Sequence, residues 1–216
     1  MDTREIASKI AQILLETKAV QFSPTKPYQW ASGWLSPIYC DNRVTLSYPK
    51  HRTHIRQMLA DRIAHEFSRC DLIAGVATAG IPQGVLVAEQ LGLPFVYVRP
   101  KPKEHGTRSQ IEGRWESNAR VVLIEDLIST GGSSVQAASA LRQEGVEVLG
   151  VLSIFDYGFP VASARFAEQG FRSTSLCTYS DLLAAAVSHS YLDQQSLDSL
   201  EQWRIAPAEW TPANAH

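Results

Sequence analysis

The chain has 216 residues, 44% of them hydrophobic and 19% charged, which suits one buried α/β domain and excludes a disordered chain. A formal net charge of −2 gives no general attraction to nucleic acid or to an anionic membrane, so any anion must be held locally. No apolar run approaches the ~18 residues of a membrane span, residues 1–9 lack a secretory apolar core, and Cys40, Cys70 and Cys177 are too scattered for a disulfide framework or thiolate metal site. The chain is therefore expected in the cytosol with reduced thiols. Ile6, Ile10, Ile13 and Leu14 recur at helical spacing and predict an amphipathic first helix. Residues 22–49, rich in Pro, Ser and aromatics, read as loops with short strands. Ile55, Met58, Leu59, Ile63 and Phe67 mark a second helix, on which His51 and His54 read as a solvated face. Strands are then expected at 71–76, 95–98, 121–124 and 146–155, with helices at 82–91 (closed by Gly92) and 133–144 (closed by Gly145). That alternation predicts a parallel sheet flanked by helices. Two late helices, 181–187 and 196–203, precede a loose tail.

One segment breaks the rhythm. About twenty residues between Val98 and Arg120 have almost no apolar content, carry Arg99, Lys101, Lys103 and His105, and include Gly106 and Gly113. A loop of that length in a compact domain is functional or disordered, and its basic residues suggest a mobile lid that seeks an anion.

The sharpest signal follows the lid. The apolar run from Val121 to Ile124 leads into two adjacent carboxylates, Glu125 and Asp126, then through Leu127, Ile128, Ser129, Thr130, Gly131, Gly132 and Ser133 into a helix. Ligands of open α/β sheets gather beyond the carboxyl ends of the strands. Glycines let successive N–H groups converge on an anion, the helix N-terminus adds partial positive charge, and Thr130 and Ser133 add hydroxyls, so a phosphate fits this turn. Two carboxylates beside a phosphate make sense if they accept hydrogen bonds from vicinal hydroxyls and stabilise a developing positive charge. A ribose 5-phosphate offers both: a terminal phosphate, and a diol on a ring that becomes oxocarbenium-like when its C1 bond breaks. The plainer alternative is a helix N-cap whose acids favour the dipole, but capping needs neither the glycine pair nor the acidic pair.

This strand, acidic doublet and Thr-Gly-Gly turn resembles the phosphoribosyl pyrophosphate signature of the type I phosphoribosyltransferases. Competing nucleotide motifs fail: Gly75 and Gly80 have the outer spacing of a P-loop, but Ile81 stands where Lys is required, and no dinucleotide-binding glycine pattern follows a strand. Three further segments narrow the resemblance to orotate phosphoribosyltransferases. The lid from Arg99 through Lys103, Glu104, His105 and Gly106 looks like their catalytic loop. The run Ser32, Gly33, Trp34, Leu35, Ser36, Pro37 is similar to their N-terminal Ser-Gly-x-x-Ser-Pro segment. The run Ala74 to Pro82 resembles their pyrophosphate loop. The four segments occur in order across 22–158.

The resemblance implies Mg²⁺-dependent transfer from phosphoribosyl pyrophosphate to orotate, giving orotidine 5′-monophosphate and pyrophosphate. It also implies a core sheet over 71–177 and a hood built from 1–49 and about 178–205. The enzyme would be a homodimer whose flexible loop, 99–117, completes the neighbouring active site. Glu125 and Asp126 would hold the ribose hydroxyls, and Leu127 to Ser133 would wrap the 5′-phosphate. Ser129 would lie near the base, while Arg99, Lys101, Lys103 and His105 would reach the pyrophosphate. Lys103, His105 and Asp126 are the expected catalytic residues, and the metal would sit mainly on substrate oxygens and water rather than on protein ligands.

Some positions depart from the family pattern. Pro100 follows Arg99 where Lys is usual, so Lys101 takes that role from a shifted position. Ala31 and Leu35 stand where many members are basic, and Ala79 stands near the place of a frequent Lys. Asp156 is followed by Tyr157 and Gly158 where many members have an Arg that meets the orotate carboxylate. Lys26 or Arg43 is the expected substitute, Arg43 preferred because its planar fork suits a carboxylate; Tyr39 is a candidate for the base pocket. Two competitors remain: the same fold acting on another base, and a regulator that binds phosphoribosyl pyrophosphate without turning it over. A complete lid argues against the regulator, and so does the lack of a basic nucleic-acid stripe.

Overall fold

The computed structural model describes residues 2–30, 33–101 and 109–212. The elements run α1 (Thr3–Glu16), β1 (Val20–Phe22), β2 (Tyr28–Gln29), β3 (Leu35–Ser36), β4 (Ile38–Cys40), a 3₁₀ helix (Asn42–Ser47), α2 (Pro49–Glu66), β5 (Leu72–Val76), α3 (Gly80–Leu91), β6 (Phe95–Val98), β7 (Ile111–Glu112), β8 (Arg120–Ile128), α4 (Gly132–Gln143), β9 (Glu147–Asp156), α5 (Pro160–Glu168), β10 (Ser173–Thr178), α6 (Tyr179–Ser188) and α7 (Gln194–Ile205). By their contacts they divide into two units, 49–176 and 1–48 with 177–216.

The larger unit is built on a six-stranded sheet of order β10-β9-β8-β5-β6-β7. The pairs β5–β6, β5–β8 and β8–β9 are parallel, while β7 runs antiparallel to β6 at the edge. β5 is buried along its whole length, as expected of a strand covered on both faces. On one face, Leu72, Ala74, Val121 and Leu123 pack with Ala137, Ala138 and Leu141 of α4 and with Ala162 and Phe166 of α5. On the same sheet, α3 packs against β5 and β8, with α2 against α3. His51 and His54 on α2 are half-buried, with a sequestered Nδ1 in each, so the expected solvated face is only partly open.

Three elements of the larger unit's sheet and its flanking helices were not expected. β7 forms inside the apparently structureless lid because Ile111 pairs with Val98 and is buried at the sheet edge. α5 begins with Pro160 in its first turn and buries Ala162 and Phe166, an i, i+4 pair too short to read as periodicity. β10 is a Ser/Thr-rich strand whose burial comes from its neighbour in the sheet. A fourth difference matters for the site. The strand expected to stop at 124 continues to Ile128, because β9 extends beside it and pairs Leu127 with Phe155 and Ile128 with Asp156.

In the smaller unit α1 packs on α6. α1 starts from a capping box in which Asp2 accepts from the Glu5 N–H and Glu5 accepts from the Asp2 N–H. Trp203 of α7 is fully buried, donates its indole N–H to the Leu35 carbonyl at 2.9 Å, and meets Trp30 edge-on at 5.5 Å. The N-terminal aromatics Trp30 and Trp34 stack on each other at 6.5 Å and so pack this unit.

Candidate active site

Because β8 runs through the acidic doublet, strand alternation sends the two carboxylates to opposite faces. Glu125 shares the face of Val121 and Leu123, beneath α4, and is buried. Its Oε1 accepts from the Asp126 N–H at 3.1 Å and its Oε2 from the Ser134 hydroxyl at 3.0 Å. Glu125 thus ties the strand end to the first turn of α4, so one member of the pair does brace the helix start. Burial, and then the neighbouring Asp126 carboxyl, hold Glu125 protonated well above the ordinary carboxylate range. Asp126 is the more exposed member.

The turn from Ser129 to Ser133 follows. Gly131 adopts φ +73°, a left-handed conformation that glycine reaches without steric cost, and supplies no side-chain cap to α4. The first N–H groups of α4 therefore keep donors for an anion. Gly132 and Ser133 are exposed, and Ser129 and Thr130 half-exposed, so the turn is open to a ligand. A second close approach locks the base of the site. A Cβ on Gly80, the first residue of α3, would overlap the Ile124 carbonyl oxygen and lie 3.4 Å from the Glu125 Cα. Only glycine lets the loop after β5 lie this close to β8. That loop contains a cis Ala77–Thr78 peptide.

Ser133 and Arg99 line one small cleft of about 40 Å³, together with Val76, Ala77, Pro100 and Gln136. The base of the lid is pinned beside it. The Arg99 N–H donates to the Gln110 carbonyl at 2.8 Å, the Gln110 amide donates to the Arg99 carbonyl at 2.8 Å, and the Gln136 amide donates to the Pro100 carbonyl at 3.3 Å. Arg99 lies 3.7 Å from Glu112 and remains partly exposed, and Lys101 is exposed. The structure thus brings the glycine turn before α4, the loop after β5 and the start of the segment 99–117 to the carboxyl ends of the parallel strands.

A family model described as the phosphoribosyl transferase domain matches residues 46–160. The orotate phosphoribosyltransferase of Cytophaga hutchinsonii is 48% identical over 202 residues, covering 94% of this chain and 97% of that protein. That of Phocaeicola vulgatus is 48% identical over 200 residues, covering 93% and 94%. The chain belongs to the orotate phosphoribosyltransferase family. The crystal structure of orotate phosphoribosyltransferase from Aeropyrum pernix superposes with a TM-score of 0.70 at 29% identity, covering 81% of this chain and 97% of that one. The fold is the type I phosphoribosyltransferase fold.

The remaining family positions fall as follows. Lys103 and His105 lie outside the described residues. Tyr157, where many family members carry Arg, is 1% exposed, stacks on Phe159 at 5.5 Å and meets Phe155 edge-on, so it belongs to the core. Asp156 before it is raised above the ordinary carboxylate range by burial and accepts from the Gly158 N–H at 2.7 Å. Tyr39, Arg43 and Lys26 belong to the smaller unit. Arg43 grips Asp41 with two hydrogen bonds, 2.7 Å from Nε and 2.9 Å from Nη2, which lowers the Asp41 pKa. Tyr39 is exposed, its ring 5.4 Å from that of Tyr28, and Lys26 is exposed. One residue at the turn escaped the sequence reading. Arg165 of α5 donates from Nη1 to the Thr130 carbonyl at 2.8 Å. Its helix carries no periodicity long enough to be read from the sequence, although Pro160 marks a helix start.

Proposed function

We infer that the protein transfers the 5-phosphoribosyl group from phosphoribosyl pyrophosphate to orotate, giving orotidine 5′-monophosphate and pyrophosphate. The observation that carries this reading is the open glycine turn directly after an acidic doublet, at the carboxyl end of a central parallel strand. The N–H groups of the turn and the hydroxyls of Thr130 and Ser133 bind the 5′-phosphate. Asp126 accepts from the ribose hydroxyls and offsets positive charge as the C1 bond to pyrophosphate breaks. Glu125, already bonded within the protein, contributes by holding Asp126 and α4 in register. Arg99 and Lys101, with Lys103 and His105 from the lid, face the departing pyrophosphate, whose negative charge grows in the transition state. Lid closure keeps water from the activated sugar. We further propose a homodimer in which loop 99–117 completes the neighbouring site, working in the cytosol with reduced thiols.

Among the described residues no three His, Cys, Asp or Glu side chains converge as a metal cage. Half-exposed Asp126 beside the turn is compatible with a hydrated Mg²⁺ that would be held chiefly by substrate oxygens and water. When bound, the ion supplies charge neutralisation on the diphosphate. For orotate's carboxylate we propose Arg43 or Lys26, since Tyr157 carries no positive charge. Purified protein with Mg²⁺ and phosphoribosyl pyrophosphate should consume orotate, followed by absorbance, and leave adenine, hypoxanthine and uracil unchanged. Consumption of one of those bases instead of orotate overturns the substrate assignment.

A further inference from the structure

We propose that Arg165 binds the 5′-phosphate directly, as a cationic side chain added to the backbone cradle. This rests on the reading of the turn given above. α5 is packed onto the turn: a Cβ on Gly131 would lie 3.1 Å from the Phe166 ring and 3.4 Å from the Ala162 Cβ. Arg165 stands three residues after Ala162, on the flank of α5 nearest the turn. Its Nη1 donates to the Thr130 carbonyl at 2.8 Å and lies 3.4 Å from where a Gly132 Cβ would be. The guanidinium therefore lies over the backbone that the phosphate must approach.

That position has two electrostatic effects. The bond offsets the partial negative charge of a carbonyl within the turn itself. It uses one of the five guanidinium N–H donors and leaves the rest for an anion. Arg165 is exposed and pairs with no carboxylate among the described residues. The ligand it suits is a phosphomonoester dianion, to which a charged fork adds charge-assisted hydrogen bonds.

The test is calorimetric titration of ribose 5-phosphate and, separately, pyrophosphate into the parent protein and Arg165→Met, Arg165→Lys and Arg165→Gln. Arg165→Met should weaken ribose 5-phosphate by about tenfold or more and leave pyrophosphate within about twofold. Arg165→Lys should recover most of the loss, because the charge returns. Arg165→Gln, polar but neutral, should not. Recovery by Gln equal to that by Lys would reduce Arg165 to a brace for the turn and overturn the proposal. So would an Arg165→Met protein that binds ribose 5-phosphate like the parent, or equal losses for both ligands. A parent protein that fails to bind ribose 5-phosphate would remove the phosphate reading of the turn itself, and this proposal with it.

Discussion

Replacing Gly131 by Ala puts two separable costs on the turn before α4. The first is conformational: at φ +73° an L side chain costs ~1–2 kcal/mol. The second is crowding, because the new Cβ would lie 3.1 Å from the Phe166 ring, adding ~1 kcal/mol if the ring gives way. Together they amount to about 2–3 kcal/mol, which for a chain of this size lowers Tm by about 4–12 °C. Gly145 provides the control at the other end of α4. Its φ is +80°, and an added Cβ meets nothing within 4 Å, so Gly145→Ala should bear only the conformational cost. The larger difference is in rate. Relief of the clash moves the turn, and a misplacement of ~1 Å at such a site costs ~10²-fold. Urea unfolding of both variants should place Gly131→Ala about 1 kcal/mol below Gly145→Ala. Orotate consumption should fall by about 10²-fold in Gly131→Ala and stay near the parent rate in Gly145→Ala. If the two variants match in both stability and rate, the turn is not held against α5 as described, and its role in catalysis loses its structural basis.

Three more outcomes follow from the site. Glu125 has a folded pKa above its ordinary value of 4.5, so its contribution to stability is full below that pH and is lost as pH rises through the folded value. Glu125→Gln should therefore gain on the parent above pH 4.5, by at most ~1.4 kcal/mol per pH unit; parallel stability curves up to pH 8 would refute the buried protonated carboxyl. If Lys103 stabilises the leaving pyrophosphate as proposed, Lys103→Ala should lower kcat by ~10²-fold or more, and a loss under about tenfold counts against that role. Arg43→Ala should raise the orotate KM by about tenfold with little change in the phosphoribosyl pyrophosphate KM, whereas an unchanged orotate KM removes Arg43 from carboxylate recognition.

What could be read from the chain without coordinates is what local chemistry decides. The turn from Ser129 to Ser133 was legible because a strand, an acidic doublet, two glycines and a helix start are consecutive residues, each with its own backbone preference. The helices α1, α3 and α4 were legible for the same reason, through apolar periodicity and closing glycines. Tertiary structure alone decided the rest. β7 exists because Ile111 finds Val98 thirteen residues earlier in the chain, and β8 reaches Ile128 only because β9 runs beside it. Glu125 and Asp126 are neighbours of like charge in the sequence, yet the pleat turns one into the core, where burial raises its pKa, and leaves the other half-exposed. Arg165 reaches Thr130 from thirty-five residues away. Sequence patterns encode periods and turn preferences; the pairing of distant segments, and the burial that shifts a carboxyl, arise only when the whole sheet and its helices close around them.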